Sequence, residues 1–141
     1  MKKLLSLEKI NKIRQRKVVR QFVKFAIIGA TAFVIDMTGY SVFTRLFSIQ
    51  HILAKIMSFF CASYYSYEFN SRWTFRRFKM RGKKLLFKSY IVQCVGASIN
   101  AGGLYLFFDR LGYHEFVSLL IATFFSTIWN FIMNKFWVYR A

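Results

Sequence analysis

The stretch Asn70-Ser-Arg-Trp73-Thr-Phe75-Arg76 returns 64 residues later as Asn134-Lys-Phe-Trp137-Val-Tyr139-Arg140. Each copy closes a hydrophobic run of membrane-spanning length. An N-x-x-W-x-aromatic-R pattern repeated at one offset marks a duplicated unit, and a repeat settles architecture before individual residues are read. Working outward, the offset holds across both halves without a gap. Lys24 falls on Lys88, Ile27 on Ile91, Asp36 on Asn100, Gly39 on Gly103, Phe43 on Phe107 and Phe60 on Phe124.

Four apolar runs, roughly residues 25–47, 52–71, 87–108 and 116–138, have the length of about 20 helical residues that a hydrocarbon core of about 30 Å demands. Nine Lys and Arg precede the first run and eight lie in a connector over residues 72–88, against Arg45 and Arg110 in the other loops. By the positive-inside rule this asymmetry puts both termini and the connector in the cytoplasm. The expected fold is an all-α membrane protein. Its four transmembrane helices form two parallel helical-hairpin repeats, about residues 24–77 and 88–141, because two spans return the chain to its starting side. Residues 1–24, with apolar positions at roughly helical intervals among many charges, read as a basic interfacial helix ahead of a transmembrane domain over 25–141.

The 141 residues are 56% hydrophobic and 21% aromatic, contain no proline, and carry a formal net charge of +17. Helices in lipid with basic ends at an anionic surface account for that combination. A nucleic-acid partner is excluded, since the apolar remainder leaves little water-facing surface for a duplex. Cys61 and Cys94 lack metal-ligand spacing and read as small packing residues within spans. No nucleophile elbow, phosphate loop, zinc-protease or dinucleotide motif occurs, and five acidic residues are too few and too dispersed for a paired-carboxylate site. The chain is not expected to be an enzyme, nor to need a metal or cofactor.

In the second run Ala54, Ser58, Ala62, Ser66 and Asn70 recur every four residues; Ser118, Ala122, Ser126, Asn130 and Asn134 repeat this in the fourth. Lipid gives helices no hydrophobic reason to associate, so small-xxx-small stripes and amide bonds mark a helix interface. The alternative, compatible with the first, is that the Asn ends of the stripes line a polar cavity open toward the cytoplasm. Gly29, Ala32, Asp36 and Gly39 share one face of the first run, as do Gln93, Gly96, Asn100 and Gly103 of the third. Asp36 is central in its span, where an ionised carboxylate costs at least about 2.5 kcal/mol and so faces the bundle interior, either fixing register or serving a pathway. Lys55, one turn inside its helix, either snorkels to the headgroups or reaches toward Asp36. Glu68, Asn70 and Arg72 gather at the inner interface, with Trp73 and Trp137 as aromatic anchors. Arg72, Arg76 and Arg140 either satisfy the positive-inside rule or chelate a lipid phosphate.

These residues resemble the GtrA-like family of small four-span membrane proteins. The likeness covers about residues 20–140 and rests on Phe22-Val-Lys-Phe25-Ala-Ile-Ile-Gly29 with Asp36, on Leu53-Ala54-Lys55, on Asn70-x-x-Trp73-x-Phe75, and on the echo Asn130-x-x-x-Asn134-x-x-Trp137-x-Tyr139. The resemblance implies translocation of polyprenyl-phosphate-linked sugars across the cytoplasmic membrane of a prokaryote, for cell-surface polysaccharide synthesis or glycosylation. Arg72, Arg76 and Lys88 are then expected to capture phosphate inside. Asp36 and Asn100 are expected to meet the sugar midway, with Glu68, Asn70, Asn130 and Asn134 at the inner end of the route, and Lys55 to receive the phosphate near the outer side. Membrane lipid, a glycosyltransferase and a second copy of the chain are the expected partners. A proton-coupled exporter working through Asp36 and a scaffold for a glycosyltransferase are the rival expectations.

Overall fold

The computed structural model describes residues 2–77, 79 and 82–140, and no strand occurs among them. Four long helices make up the described chain: α1 (Lys2–Arg45), α2 (His51–Phe69), α3 (Lys83–Leu104) and α4 (Glu115–Met133). The last three open at their ends into π-helical turns, Asn70–Thr74, Tyr105–Arg110 and Asn134–Val138.

The basic segment and the first apolar run are one uninterrupted helix, because no glycine or proline stands before Gly29 to break it. At 1.5 Å per residue its 44 residues extend about 66 Å, twice the thickness of a hydrocarbon core. The charged half therefore projects beyond any membrane the apolar half crosses. Three segments, Leu7–Arg45, Lys83–Arg110 and Glu115–Val138, are long and apolar enough to span a membrane. α2 is as long as α4, but Lys55, Glu68 and its serines and tyrosines lower its mean hydropathy below that of α4. The basic connector is shorter than its sequence suggests: α3 already begins at Lys83, so Lys83, Lys84 and Lys88 are helical, while Arg81 lies outside the described residues.

The duplication is physical. α2 and α4 begin and end 64 residues apart, and their π turns do the same. In those turns Phe75 N donates to Asn70 O at 2.9 Å and Tyr139 N to Asn134 O at 2.8 Å. The wider turn swings the following aromatic off the helix surface and into the protein. Phe75 and Tyr139, equivalent by the repeat, stack face to face with centroids 4.7 Å apart. Phe75 also stacks on Phe131, and Tyr139 on Tyr67, which is the same pair seen from the other half. Such reciprocity is the signature of a two-fold relation, with the axis passing between Phe75 and Tyr139. The ends of α2 and α4 thus meet at one end of the bundle, and the repeats run in the same direction. Phe25, Val92 and Val138 complete this buried cluster, whose edge-to-face and stacked rings contribute about 0.5–1.5 kcal/mol per pair beyond their burial.

Within each hairpin the small-residue stripe is the helix interface. Ala54, Ser58 and Ala62 are buried, as are Ser118, Ala122 and Ser126, while Ser66 and Asn130 are half-buried. Close approach depends on glycine: a Cβ on Gly39 would stand 3.2 Å from Ser58 Cβ, and one on Gly103 3.0 Å from Ala122 Cβ. Gly29, expected on the same face, is open instead. Cys61 and Cys94 are exposed on the bundle surface, so they do not pack between helices as expected. A small side chain in an apolar helix is equally at ease facing lipid.

Candidate functional site

The α1–α2 turn sets the register that decides the middle of the first hairpin. Ile49 N donates to Phe43 O at 3.0 Å and Ala54 N to Gln50 O at 2.8 Å, closing the turn tightly. Gly39 then lets α2 approach, and Ser58 donates its hydroxyl to Asp36 Oδ1 at 2.6 Å. Lys55 forms an ion pair with the other carboxylate oxygen, Oδ2. The Asp36 side chain is 14% exposed and that of Lys55 52%. The lysine therefore bridges from the helix interface to the bundle exterior, its ammonium paired with the Asp36 carboxylate. Tyr40 hydroxyl and His51 Nδ1, 2.8 Å apart, close the mouth of the hairpin above it.

The second hairpin repeats the backbone without the charges. Asn100 Nδ2 donates to Thr123 Oγ1 at 3.1 Å, and the positions of Lys55 and Ser58 are held by Leu119 and Ala122. Gly96 is pressed against Asn130, whose Oδ1 is buried and lacks a hydrogen-bond donor. Ser126 hydroxyl donates to Gly96 O at 2.8 Å across the same contact. Gln93 reaches from α3 to Ser63 O on α2 at 3.5 Å, one of the polar links between the halves.

At the other end of the bundle the expected cluster divides. Glu68 pairs with Arg72, Nε to Oε2 at 3.1 Å, one helical turn apart. Asn70 and Asn134 are each 3% exposed. Asn70 Nδ2 donates to Ser66 Oγ and its Oδ1 accepts from Thr74, while Asn134 Nδ2 donates to Asn130 O. Both amides are thus turned into the π-helical ends they stabilise. The tryptophans are held by cations in a way that reasoning from the motif alone missed. Lys24 Nζ lies 4.8 Å from the Trp73 ring centre and Lys88 Nζ 5.3 Å from that of Trp137. The offset that maps Lys24 on Lys88 and Trp73 on Trp137 contained this pairing.

Two open spaces flank that end. One, of about 520 Å³, is an apolar groove between α1 and α2 walled by Ile27, Ile28, Tyr65 and Phe69, with Arg72 and Trp73 at its mouth. The other, of about 1010 Å³, is a cleft over the aromatic cluster, with Phe75, Phe131 and Tyr139 in its wall and Lys24, Arg76 and Arg140 among its cations. Arg76 adopts a left-handed backbone, φ +53°, a conformation that costs a non-glycine residue about 1 kcal/mol or more. The structure thus unites Asp36 with Lys55, and Glu68 with Arg72. It separates Arg72 from Arg76, which face different spaces, and places Lys88 on Trp137.

None of the curated proteins compared with this chain matches it. Residues 24–139 match the family described as GtrA/DPMS, transmembrane domain, a span that takes in both hairpins, both Lys–Trp pairs and the Asp36–Lys55 pair. This multi-pass membrane protein belongs to the GtrA/DPMS transmembrane-domain family.

Proposed function

We infer that the chain carries a polyprenyl-phosphate-linked sugar across the cytoplasmic membrane of a prokaryote, for cell-surface polysaccharide synthesis or glycosylation, without altering it chemically. The observation that carries this reading is the Asp36–Lys55–Ser58 cluster inside a transmembrane-family fold. A charged pair in such a place is costly to keep and is not needed for packing, since the second hairpin packs the same way without it. In this reading all four helices cross, with the termini and the basic end in the cytoplasm. α2 tolerates its two charges because each is matched, Lys55 by Asp36 and Glu68 by Arg72.

The headgroup must pass a core that rejects charge and hydroxyls. Cations at the inner surface, Arg76 foremost, meet the phosphate. The isoprenoid chain lies along the apolar groove between α1 and α2 or in lipid. Asp36, Ser58 and Asn100 offer hydrogen bonds to sugar hydroxyls midway, and Lys55 exchanges its carboxylate for the phosphate near the outer side. One ion pair replaces another in that exchange, so the barrier stays low. Because Lys55 is half exposed on the bundle's flank, a second copy of the chain encloses the route, and a membrane glycosyltransferase takes up the sugar once it has crossed.

The test is purified protein in liposomes containing a polyprenyl-phosphate sugar, with the outer-leaflet fraction read by a membrane-impermeant oxidant. The parent chain accelerates exchange between leaflets, and Lys55→Leu slows it by about tenfold or more, the equivalent of about 1.4 kcal/mol in the barrier. Liposomes in which the parent chain gives no acceleration would sink the carrier reading and favour the scaffold.

A further inference from the structure

The charged half of α1 does more than extend the helix. It lays Arg14, Lys17 and Arg20 along the cleft over the aromatic cluster, where they face Arg76, Arg77 and Lys135. Among the described residues the lining contains no Asp or Glu side chain. Arg14 and Lys17 both repel the Lys135 ammonium, which lies 5.6 Å from the ring centres of Phe131 and Phe136.

The positive-inside rule accounts for cations at this end of the bundle but not for their convergence. Each like-charged pair a few ångströms apart costs about 1 kcal/mol even in a water-like dielectric, and spreading the same charges around the rim would avoid that. The equivalent place in the first half is resolved differently: Glu68 and Arg72 neutralise each other where the second half has Ile132 and Phe136, and Ser71 stands where the second half has Lys135. The Lys135 side of the cleft thus carries a charge that its counterpart in the first half does not. The arginines of the cleft offer planar forks that match phosphate oxygens in pairs. In a space of about 1010 Å³, two linked phosphoryl groups reach and compensate more of these cations than a single phosphodiester with its one negative charge.

We propose that this cleft is a binding site for an anion with two linked phosphoryl groups, held between the N-terminal extension of α1 and the end of α4. The extension and Arg140 supply the part of the site that lies outside residues 24–139, the span shared with the family. A diphosphate headgroup on a lipid and a soluble diphosphate share this chemistry. The proposal rests on the carrier reading only for the lipid as source; binding itself requires no transport.

Calorimetric titration of the detergent-solubilised full chain with inorganic pyrophosphate, and separately with inorganic phosphate, tests it. Pyrophosphate binds more tightly than phosphate, and its affinity falls as salt rises. Arg14→Gln and Lys135→Ser each weaken it by roughly tenfold, as expected for one charge-assisted hydrogen bond, whereas Arg45→Gln at the opposite end leaves it unchanged. Arg14 lies on an exposed part of α1, so its variant keeps the fold if the Lys135 variant does not. In nanodiscs, displacement of pyrophosphate by polyprenyl diphosphate identifies a lipid ligand, and the absence of displacement a soluble one. Absent pyrophosphate binding, or an equal loss in Arg45→Gln, overturns the site. Transport without pyrophosphate binding removes the cleft and leaves the carrier standing; binding without transport does the reverse.

Discussion

The two hairpins share much of their backbone and differ in chemistry. The bounds of α2 and α4, the π turns that follow them, the Gly39 and Gly103 contacts and the Lys–Trp pairs coincide at one offset, although α3 alone ends in a further π turn, and the first hairpin carries Asp36, Lys55 and Ser58 where the second carries Asn100, Leu119 and Ala122. At the other end the first carries Glu68, Ser71 and Arg72 where the second carries Ile132, Lys135 and Phe136. What repeats is therefore what the fold requires, and what differs is free to serve a ligand. The Asp36–Lys55 pair and the basic cleft both fall in the second class.

Converting one hairpin into the other tests this division, and the middle gives the largest effect. Lys55→Leu alone leaves Asp36 in the helix interface with only the Ser58 hydroxyl, and Asp36→Asn alone leaves the Lys55 ammonium without its acid. Each single change should lower stability by about 2 kcal/mol, below the full cost of breaking a buried pair because Lys55 is half exposed. The double variant reproduces the Asn100–Leu119 arrangement and should recover most of the loss while abolishing leaflet exchange. Unfolding in a denaturing detergent titration reads the cycle. If the two single losses simply add in the double variant, the residues are uncoupled and the pair has no structural meaning.

A smaller effect is expected where the second hairpin is the tighter. A Cβ on Gly96 would meet Asn130 Oδ1 at 2.2 Å, whereas the first hairpin places Ala32 and Ser66 at the matching positions. Gly96→Ala should destabilise by about 1.5 kcal/mol, toward the low end of the overpacking range because the Cβ meets the far end of the Asn130 side chain, which can shift. Adding Asn130→Ser copies the first hairpin, opens the space, and should bring stability back to within about 1 kcal/mol of the parent, as coupled neighbours do. Thermal unfolding in micelles decides; a double variant no more stable than Gly96→Ala would mean that the hairpins do not share this packing.

Much of this was legible in the sequence because the repeat is written in residues with little substitutional freedom. Glycine at a close helix contact, asparagine at a helix end and tryptophan at an interface each mark a place, and the offset linked them. The Asp36–Lys55 pair was not assured, because relative depth on two helices depends on how tightly Ile49 and Ala54 close the turn, which composition does not encode. The unbroken α1 was concealed by its charge: Lys and Arg are good helix formers, so a change from charged to apolar residues is no break. The cleft was invisible for a different reason. Arg14, Arg76 and Lys135 are brought together by tertiary packing, and no spacing along the chain announces it.

The smallest expected effect concerns the turns, where the hairpins share a left-handed position but not its residue, and where only the second is entered through a π turn. Ser48 has φ +52° and its counterpart Gly112 φ +68°, so both occupy the left-handed region, which glycine enters freely and an L side chain enters at a cost. A Cβ at Gly112 would meet nothing within 4 Å, and Ser48 is exposed; packing therefore does not enter the comparison. Ser48→Gly relieves the strained backbone but also loosens the unfolded chain. The first term is the larger, and a gain of about 0.5 kcal/mol is expected. Gly112→Ser reverses both terms and should cost about as much. Opposite shifts of similar size in thermal midpoint would establish that the left-handed position is equivalent in the two turns, although a π turn leads into only the second. Shifts of the same sign would mean that one turn is held by contacts the other lacks, and that the duplication of the hairpins stops short of their tips.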